Sequence, residues 1–579
     1  MAMIIKLVSI GALLFFSVSI TATEYYVAPN GGSGPGTKNE PWSLDYANEQ
    51  LMPGDKAILR GGTYTNERIA PARSGTSESN RIVYQAYPNE TPKFRPTSSV
   101  TILILIKDRS YITVDGIDAD GGGIYRDSKY GNWAVYENTT HTIIKNSRLV
   151  RSKGYSAFDF IKNSTFNKIL NNYVEYNGVW NVEPWKGHPE DSGSMMWIRS
   201  SNERNLIQGN TFKKSGHDMG LIEGNYNIIK DNYYDNFWEV YDGATFTFKV
   251  GYITKGDKVG NRTIEVRNSL GNVIENNIFA NIPESVDNSG VGVMKVTGTY
   301  QIVRKNILMN QTGQGEGIAS SLGSSSLIAA NNKIFNNTIY NIGGPGWYVN
   351  AYNTSEYKPS DNTFKNNIIY KARQRPESDQ HDSEISFSNG IGTDSSAFRN
   401  NEISYNCFAS DSSASNQQIY SGVERMSSLS SYEEKHPDIF FKNIQRAPEF
   451  VITNPVNRED FALSDSSPCK DQAGDLTTTK SNGSGTKVSV VDAGYFTDGY
   501  GLIEGDFISV GSDKVQVKSV NMSTHELTID RSISWSSGES VNLAVLDNKP
   551  DIGAVEFEGV QEVESPPSSP WNIEAAIVK

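Results

Sequence analysis

Between residues 155 and 250 the chain gathers side chains able to move protons and hold anions. The run Lys213-Lys214-Ser215-Gly216-His217-Asp218 places a histidine just after a glycine turn. Histidine is the side chain whose ordinary pKa suits proton transfer near neutrality; the bland alternative is a turn histidine bonded to a neighbouring carbonyl. Arg199 and Glu223 flank this run. A guanidinium can neutralise a substrate carboxylate, or it can pair within its own chain, and Glu223 is the partner expected on that second reading. Tyr176 is a proton donor or acceptor, or else a stacked corner aromatic. Lys213 and Lys214 either touch a substrate or form a solvated face. Between Tyr176 and Ser194, Trp180 and Trp185 are of the kind that stack on sugar rings or cover an apolar edge. Glu183, Glu190 and Asp191 offer oxygens of the kind Ca²⁺ takes, without a diagnostic spacing.

These residues need a scaffold, and the sequence supplies a repeat. An apolar residue, two spacers and Asn recur as Ile143–Asn146, Ile169–Asn172, Ile207–Asn210, Ile229–Asn232, Ile274–Asn277, Val303–Asn306, Ile334–Asn337, Phe364–Asn367 and Phe398–Asn401. Successive Asn lie 22 to 45 residues apart, the shortest interval being one bare turn and the longer ones the same turn carrying loops. The units are short and β-branched or aromatic, with Gly and Asn between them, which favours strands. Three strands per turn stack into a right-handed parallel β-helix, with apolar residues aligned inside and the Asn amides bonded from coil to coil in a ladder. Counting back from each Asn places Glu137, Lys162, Arg199, Glu223 and Lys295 on the exposed strand of successive coils.

The fold class expected is therefore all-β: a right-handed parallel β-helix (solenoid) over residues 23–476 with an N-terminal cap. Between Cys469 and Pro550 the segments Lys487–Val491, Asp506–Val510, Lys514–Val520 and Glu526–Asp530 alternate around Gly-rich turns. They predict a small inserted C-terminal β-barrel or sandwich domain at 477–546, a return to the β-helix end at 547–559 and a linker-like tail at 560–579. Residues 1–22, with Lys6 before the apolar run Leu7–Ile20 and small residues after it, read as a signal peptide. Export to the periplasm, cell surface or medium is expected, with no membrane span after signal removal. The chain has 579 residues and a formal charge of −13, which disfavours nucleic acid as a partner but leaves room for an acidic polymer held by a local Lys/Arg cluster. Two cysteines, Cys407 and Cys469, exclude a disulfide scaffold and form one bridge or none. A capped solenoid needs no partner copy, so a monomer is expected.

Three features together resemble secreted β-helix proteins of the pectate-lyase-like superfamily, alginate lyase and chondroitinase B type. They are the opening Tyr25-Tyr26-Val27-Ala28-Pro29 with Pro35-Gly36-Thr37, the Asn-closed coils, and the closing Asp551-Ile552-Gly553-Ala554-Val555-Glu556. The resemblance covers roughly 25–559. It implies an acidic, uronate-containing polysaccharide as substrate, cleaved by β-elimination, with no organic cofactor and often with Ca²⁺. Such chemistry needs neutralisation of the C6 carboxylate, a base for the C5 proton and an acid for O4. The catalytic candidates are His217, Arg199, Lys214, Tyr176 and Glu223; the substrate-binding candidates are Trp180, Trp185, Lys162, Lys213 and Lys295. The chain departs from the family where a Lys on one coil and an Arg on the next are its pattern: the comparable places hold Arg199 to Ser201 and Ile222 to Glu223. Ser-Gly-His217-Asp218 is similar to the His-Asp of mannuronan C5-epimerases without the Asp-Pro before it. A C5-epimerase thus stays open. So does a glycoside hydrolase using Glu223 with Asp218 or Glu137, and so does a non-catalytic carbohydrate-binding solenoid.

Overall fold

A computed structural model describes residues 23–96, 102–121, 134–152, 156–177, 194–215, 219–235, 248–250, 269–281, 292–311, 315–322, 329–351, 359–372, 384–388, 400–409, 419–420, 425–426, 428–545 and 549–556. Residues 1–22 and 557–579 lie outside this set, and with them the segment read as a signal peptide and the whole of the expected tail.

Many of the described strands have only three residues, too few to hold alone, so each is stabilised by its copies in the coils before and after. Among the described residues they form three long sheets of 14, 12 and 12 strands. Sheet A runs through Ile143–Lys145, Lys168–Leu170, Leu206–Gln208 and Ile228–Lys230; sheet B through Arg148–Val150, Tyr173–Asn177, Thr211–Ser215 and Tyr233–Asp235; sheet C through Ser156–Ile161, Ser194–Ile198 and Gly220–Ile222. Pairing between successive coils is parallel and in register throughout; a final antiparallel pair, Ile419–Tyr420 with Arg425–Met426, closes the edge of sheet C. This is the parallel β-helix expected from the repeat. Ile144, Ile169, Ile207 and Ile229 stack inside from sheet A, and Phe212, Tyr234 and Phe279 stack ring on ring from sheet B at 5.1 and 4.8 Å.

The Asn ladder is present, with two changes of register. Asn172, Asn210, Asn232, Asn277, Asn306, Asn337 and Asn367 occupy one column; from Asn210 on, each Oδ1 accepts both the backbone N–H and the Nδ2 of the column residue one coil earlier, at 2.9–3.0 Å. Asn146 is not in it: Ser147 takes the place and donates its N–H to Asn172, while Asn146 sits one residue early at φ 51°. Asn401 belongs to a second column five residues upstream, made of Asn167, Asn205, Asn227, Asn272, Gln301, Asn332, Asn362 and Asn401. In the first column its place is taken by Asn406, which bonds Asn443, whose amide in turn reaches Glu433 in the helix Leu429–Lys435.

The strands Thr477–Thr478, Ser540–Leu543, Phe507–Val510, Asp513–Asn521, Glu526–Trp535 and Gly483–Ser489 form an antiparallel sheet in that order, and a bridge from Thr479 to Val490 joins its two ends. This small barrel sits on sheet A. Leu206, Ile228, Val273, Ile302 and Phe335 of the solenoid pack against Tyr495, Phe496 and Ile508 of the barrel. Inside that seam Arg304 donates to both oxygens of Asp506 at 2.8 and 2.6 Å and to Glu275 at 2.7 Å, while Lys230 also reaches Glu275 at 2.8 Å. Further anchors are Lys168 Nζ to the Leu502 carbonyl, Lys333 to Asp492, and Tyr500 Oη to the Gly271 carbonyl at 2.7 Å. Gly271 has φ 64°, and a Cβ there would meet the Tyr226 ring at 2.8 Å, so the corner is bare and Tyr500 fills it from the barrel. A disulfide, Cys407–Cys469, ties the segment that precedes the barrel to the last coils, and Ile552 and Ala554 return the chain onto sheet B.

Candidate functional site

Sheet B turns into sheet C through a corner at which each coil leaves the strand in the left-handed region. Arg151, Tyr176 and Lys214 occupy equivalent positions there with φ of 58°, 54° and 57°. Further along, the same column holds Asn281, Asn310 and Asn341, the residue type that adopts this conformation at least cost. Lys371 continues the column after Asn341 at φ 55°, so four long side chains stand where Asn would be easier.

Tyr176 and Lys214 meet. The Lys214 Nζ donates to Tyr176 Oη at 2.6 Å, lies 4.4 Å from its ring centroid and is 3.2 Å from Glu175 Oε1. Burial works against the Lys214 charge, but the bond to Tyr176 and the charge of Glu175 outweigh it and raise its pKa, so it remains an ammonium. Arg151, by contrast, is held by Asp120. The chain from 178 to 193 and from 216 to 218 lies outside the described residues. With it go His217, Trp180, Trp185, Glu183, Glu190 and Asp191.

A second group lies on the outer face of sheet C. The Arg199 Nε and Nη2 donate to Asp159 Oδ1 and Oδ2, both at 2.9 Å, and the guanidinium lies 3.9 Å from the Trp197 ring centroid. The Trp197 indole donates to Glu223 Oε2 at 3.1 Å. Asp159, Trp197 and Glu223 are buried, at 2%, 6% and 6% exposure. The bland reading of Arg199 therefore holds with a different partner. It pairs with Asp159 one coil back, not with Glu223 one coil on, because Trp197 lies between and takes the Glu223 carboxylate itself.

The expected column of exposed residues also needs correction. Glu137 is in register with Ile161; Lys162 is the next residue, past the strand at φ 43°, where it bonds Glu137 at 3.1 Å. Lys295 aligns with Ala319 and Lys249, two residues before the row that Arg199 and Glu223 continue. Beside it lies a group that sequence reasoning missed. Glu316 is buried, and burial raises its carboxyl to about 7 despite Lys295 nearby. The one signal in the sequence is its placement between Gly315 and Gly317. Lys213 stands on the outer face of sheet B, in register with Glu175 and Asp235.

Among the described residues no three His, Cys, Asp or Glu side chains are grouped as metal ligands. The carboxylates of this region, Asp120, Glu137, Asp159, Glu175 and Glu223, are each engaged by protein donors. The described site therefore does not fit Ca²⁺, and no step below runs through it. Among the described residues no helix is long and apolar enough to cross a membrane.

No protein-family profile matches the chain, and no curated protein matches it. Among solved structures it is similar to pectate lyase Pel9A (13% identity, TM-score 0.38, covering 80% of this chain and 94% of that one). It is also similar to a rhamnogalacturonan lyase (16%, 0.41, 59% and 87%), and to a PL6 family polysaccharide lyase from Pseudopedobacter saltans (15%, 0.40, 70% and 95%). At such identities and TM-scores neither an activity nor a residue role is transferred from these structures.

Proposed function

We propose that this β-helix is a polysaccharide lyase that cleaves a uronate-containing, alginate-like polymer by β-elimination. The observation that carries the reading is the Lys214–Tyr176 pair, an ammonium 2.6 Å from a phenol at a corner of the solenoid where both residues hold a disfavoured backbone. β-Elimination asks for a cation at the C6 carboxylate, so that the C5 proton becomes acidic enough to leave. Lys214, kept charged by Tyr176 and Glu175, supplies it. A base then takes the C5 proton, the C5–H electrons form the C4–C5 double bond, the C4–O4 bond breaks and O4 accepts a proton. Tyr176, whose hydroxyl oxygen accepts from the Lys214 ammonium, serves as that base and returns the proton to O4; His217, three residues beyond Lys214, is the second candidate base. On sheet C, Asp159, Arg199 and Trp197 act together to orient the Glu223 carboxylate.

The test is ultraviolet absorbance of the conjugated product while the protein meets alginate, pectate and glycosaminoglycans, with calcium and then with chelator. A rise on one polymer that disappears in Tyr176→Phe is the expected result. New reducing ends without absorbance would replace the reading by hydrolysis through Glu223. Binding with neither signal would make the solenoid a carbohydrate-binding module.

A further inference from the structure

On the outer face of sheet B the strands Tyr173–Asn177, Thr211–Ser215 and Tyr233–Asp235 are consecutive and in register. Tyr173, Thr211 and Tyr233 form one row; Glu175, Lys213 and Asp235 form the next. Neighbouring strands are about 4.8 Å apart, so the two tyrosines are roughly two strand spacings apart, with a small side chain between them. Each phenol donates to a carboxylate two residues along its own strand: Tyr173 to Glu175 at 2.8 Å and Tyr233 to Asp235 at 3.4 Å. Both rings are half-buried on this outer face. Burial first, and the adjoining carboxylate second, raise both phenols, so both stay donors.

Lys213 stands on the strand between those of the two tyrosines, one row along. Its in-register neighbours are carboxylates, yet Glu175 is taken by Lys214 and Tyr173, and Asp235 is bonded by Tyr233. Among the described residues Lys213 makes no ion pair, and its ammonium stands 5.9 Å from the Tyr233 ring centroid. The row ends where Tyr233 packs against the cluster of Ala280, Met309 and Phe461.

We infer that this strip is a binding site for a carboxylated polysaccharide lying along the solenoid axis, with sugars stacked on Tyr173 and Tyr233 and the carboxylate of the sugar between them paired with Lys213. A pyranose chain advances by about one strand spacing per residue, so ring, cation and ring meet three successive sugars. The site needs no elimination chemistry and goes beyond the lyase reading; a protein that only bound glycan would use it equally.

The test is binding of full-length protein to immobilised alginate and pectate in the cold, read against the same polymers with their carboxyls reduced and against free acetate. Lys213→Gln removes one charge-assisted contact and is expected to weaken binding about tenfold or more, with a shallower salt dependence. Tyr233→Ala is expected to weaken it several-fold while the unfolding temperature stays near that of the parent. If Tyr233→Ala folds poorly, Lys213→Gln decides alone, since its side chain contributes no described ion pair. Parent-like binding by Lys213→Gln overturns the proposal. So does equal binding of the carboxyl-reduced polymers, and so does competition by acetate as effective as by oligomer, which would mean an adventitious ion only. Lost cleavage with Lys213-dependent binding intact would sink the lyase reading and leave the strip standing; cleavage with Lys213-independent binding would do the reverse.

Discussion

Removing the Tyr176 hydroxyl by Tyr176→Phe leaves the ring and takes away the proton carrier, so kcat should fall by about 10²- to 10⁴-fold with little change in unfolding temperature. Lys214→Met should lower kcat/KM comparably, since the substrate carboxylate would then meet no cation. A loss of kcat/KM that comes only from a raised KM in both variants would reduce the pair to a binding role. Glu316 gives a prediction about stability. Its folded carboxyl, raised to about 7 by burial, lies above the ordinary value. The native state is therefore unaffected below the ordinary carboxylate pKa and loses stability as pH rises through about 7, by about 3 kcal/mol at most. Glu316→Gln should match the parent near pH 4 and exceed it near pH 8 in denaturant unfolding; equal stability at both would place Glu316 in a wetter site than its burial indicates. At this scale the sequence was informative about residue types and poor about partners. Arg199, Tyr176 and Lys214 stand out as residues that carry charge or move protons. That Asp159 rather than Glu223 holds Arg199 depends on Trp197 lying between coils, which no spacing reveals.

Each interior Asn of the ladder accepts two donors from the coil before it, and its own Nδ2 donates both to the next Asn and back to a carbonyl of the coil before. Asn277, for example, accepts from the N–H and Nδ2 of Asn232 and gives its own N–H and Nδ2 to Asn306. Asn277→Ala strands buried donors and should cost about 2–4 kcal/mol, measured by denaturant unfolding; a cost below about 1 kcal/mol would mean the backbone pairing suffices without the ladder. The disulfide belongs to the same scale. Cys469→Ser opens a closed loop whose ends are 62 residues apart and should cost about 2–4 kcal/mol. The repeat was legible because apolar-x-x-Asn survives in most coils. The second ladder escaped, although its signal was present: Asn-x-x-x-x-Asn recurs at 167/172, 205/210, 227/232, 272/277, 332/337, 362/367 and 401/406. Its upstream Asn follows no regular apolar residue, so a search anchored on apolar positions passes over it and counts Asn401 in the wrong column.

For the whole molecule the decisive contact is the seam between barrel and solenoid. Burial alone would raise the Glu275 carboxyl, but Arg304 and Lys230 hold it well below the usual range. Its contribution is complete above the ordinary carboxylate pKa of about 4.3 and is lost as pH falls through the depressed value. Arg304→Leu leaves Glu275 and Asp506 buried without their cation and should cost about 3–5 kcal/mol near neutral pH. The loss should shrink toward pH 4 as the stranded carboxylates protonate; a pH-independent loss would mean packing, not charge, is what Arg304 contributes. Strand texture made the barrel legible between Cys469 and Pro550, but its seat on sheet A was not. The residues it covers, Leu206, Ile228, Val273 and Ile302, read in the sequence as ordinary members of short buried strands. The bare corner at Gly271 has one more implication. The barrel grips the coil of Lys168 through Leu502, that of Gly271 through Tyr500 and those of Arg304 and Lys333 through Asp506 and Asp492. It therefore works as a gauge laid along a stack that is otherwise indifferent to its own length. Both ladders pass through a coil of 22 residues, Asn205 to Asn227 and Asn210 to Asn232, so excising residues 206–227 would rejoin each ladder in phase. Every grip beyond the cut would then be displaced by about 4.8 Å relative to Lys168. The solenoid would close up over the gap, and Tyr500 would come down on a coil with no vacancy for it.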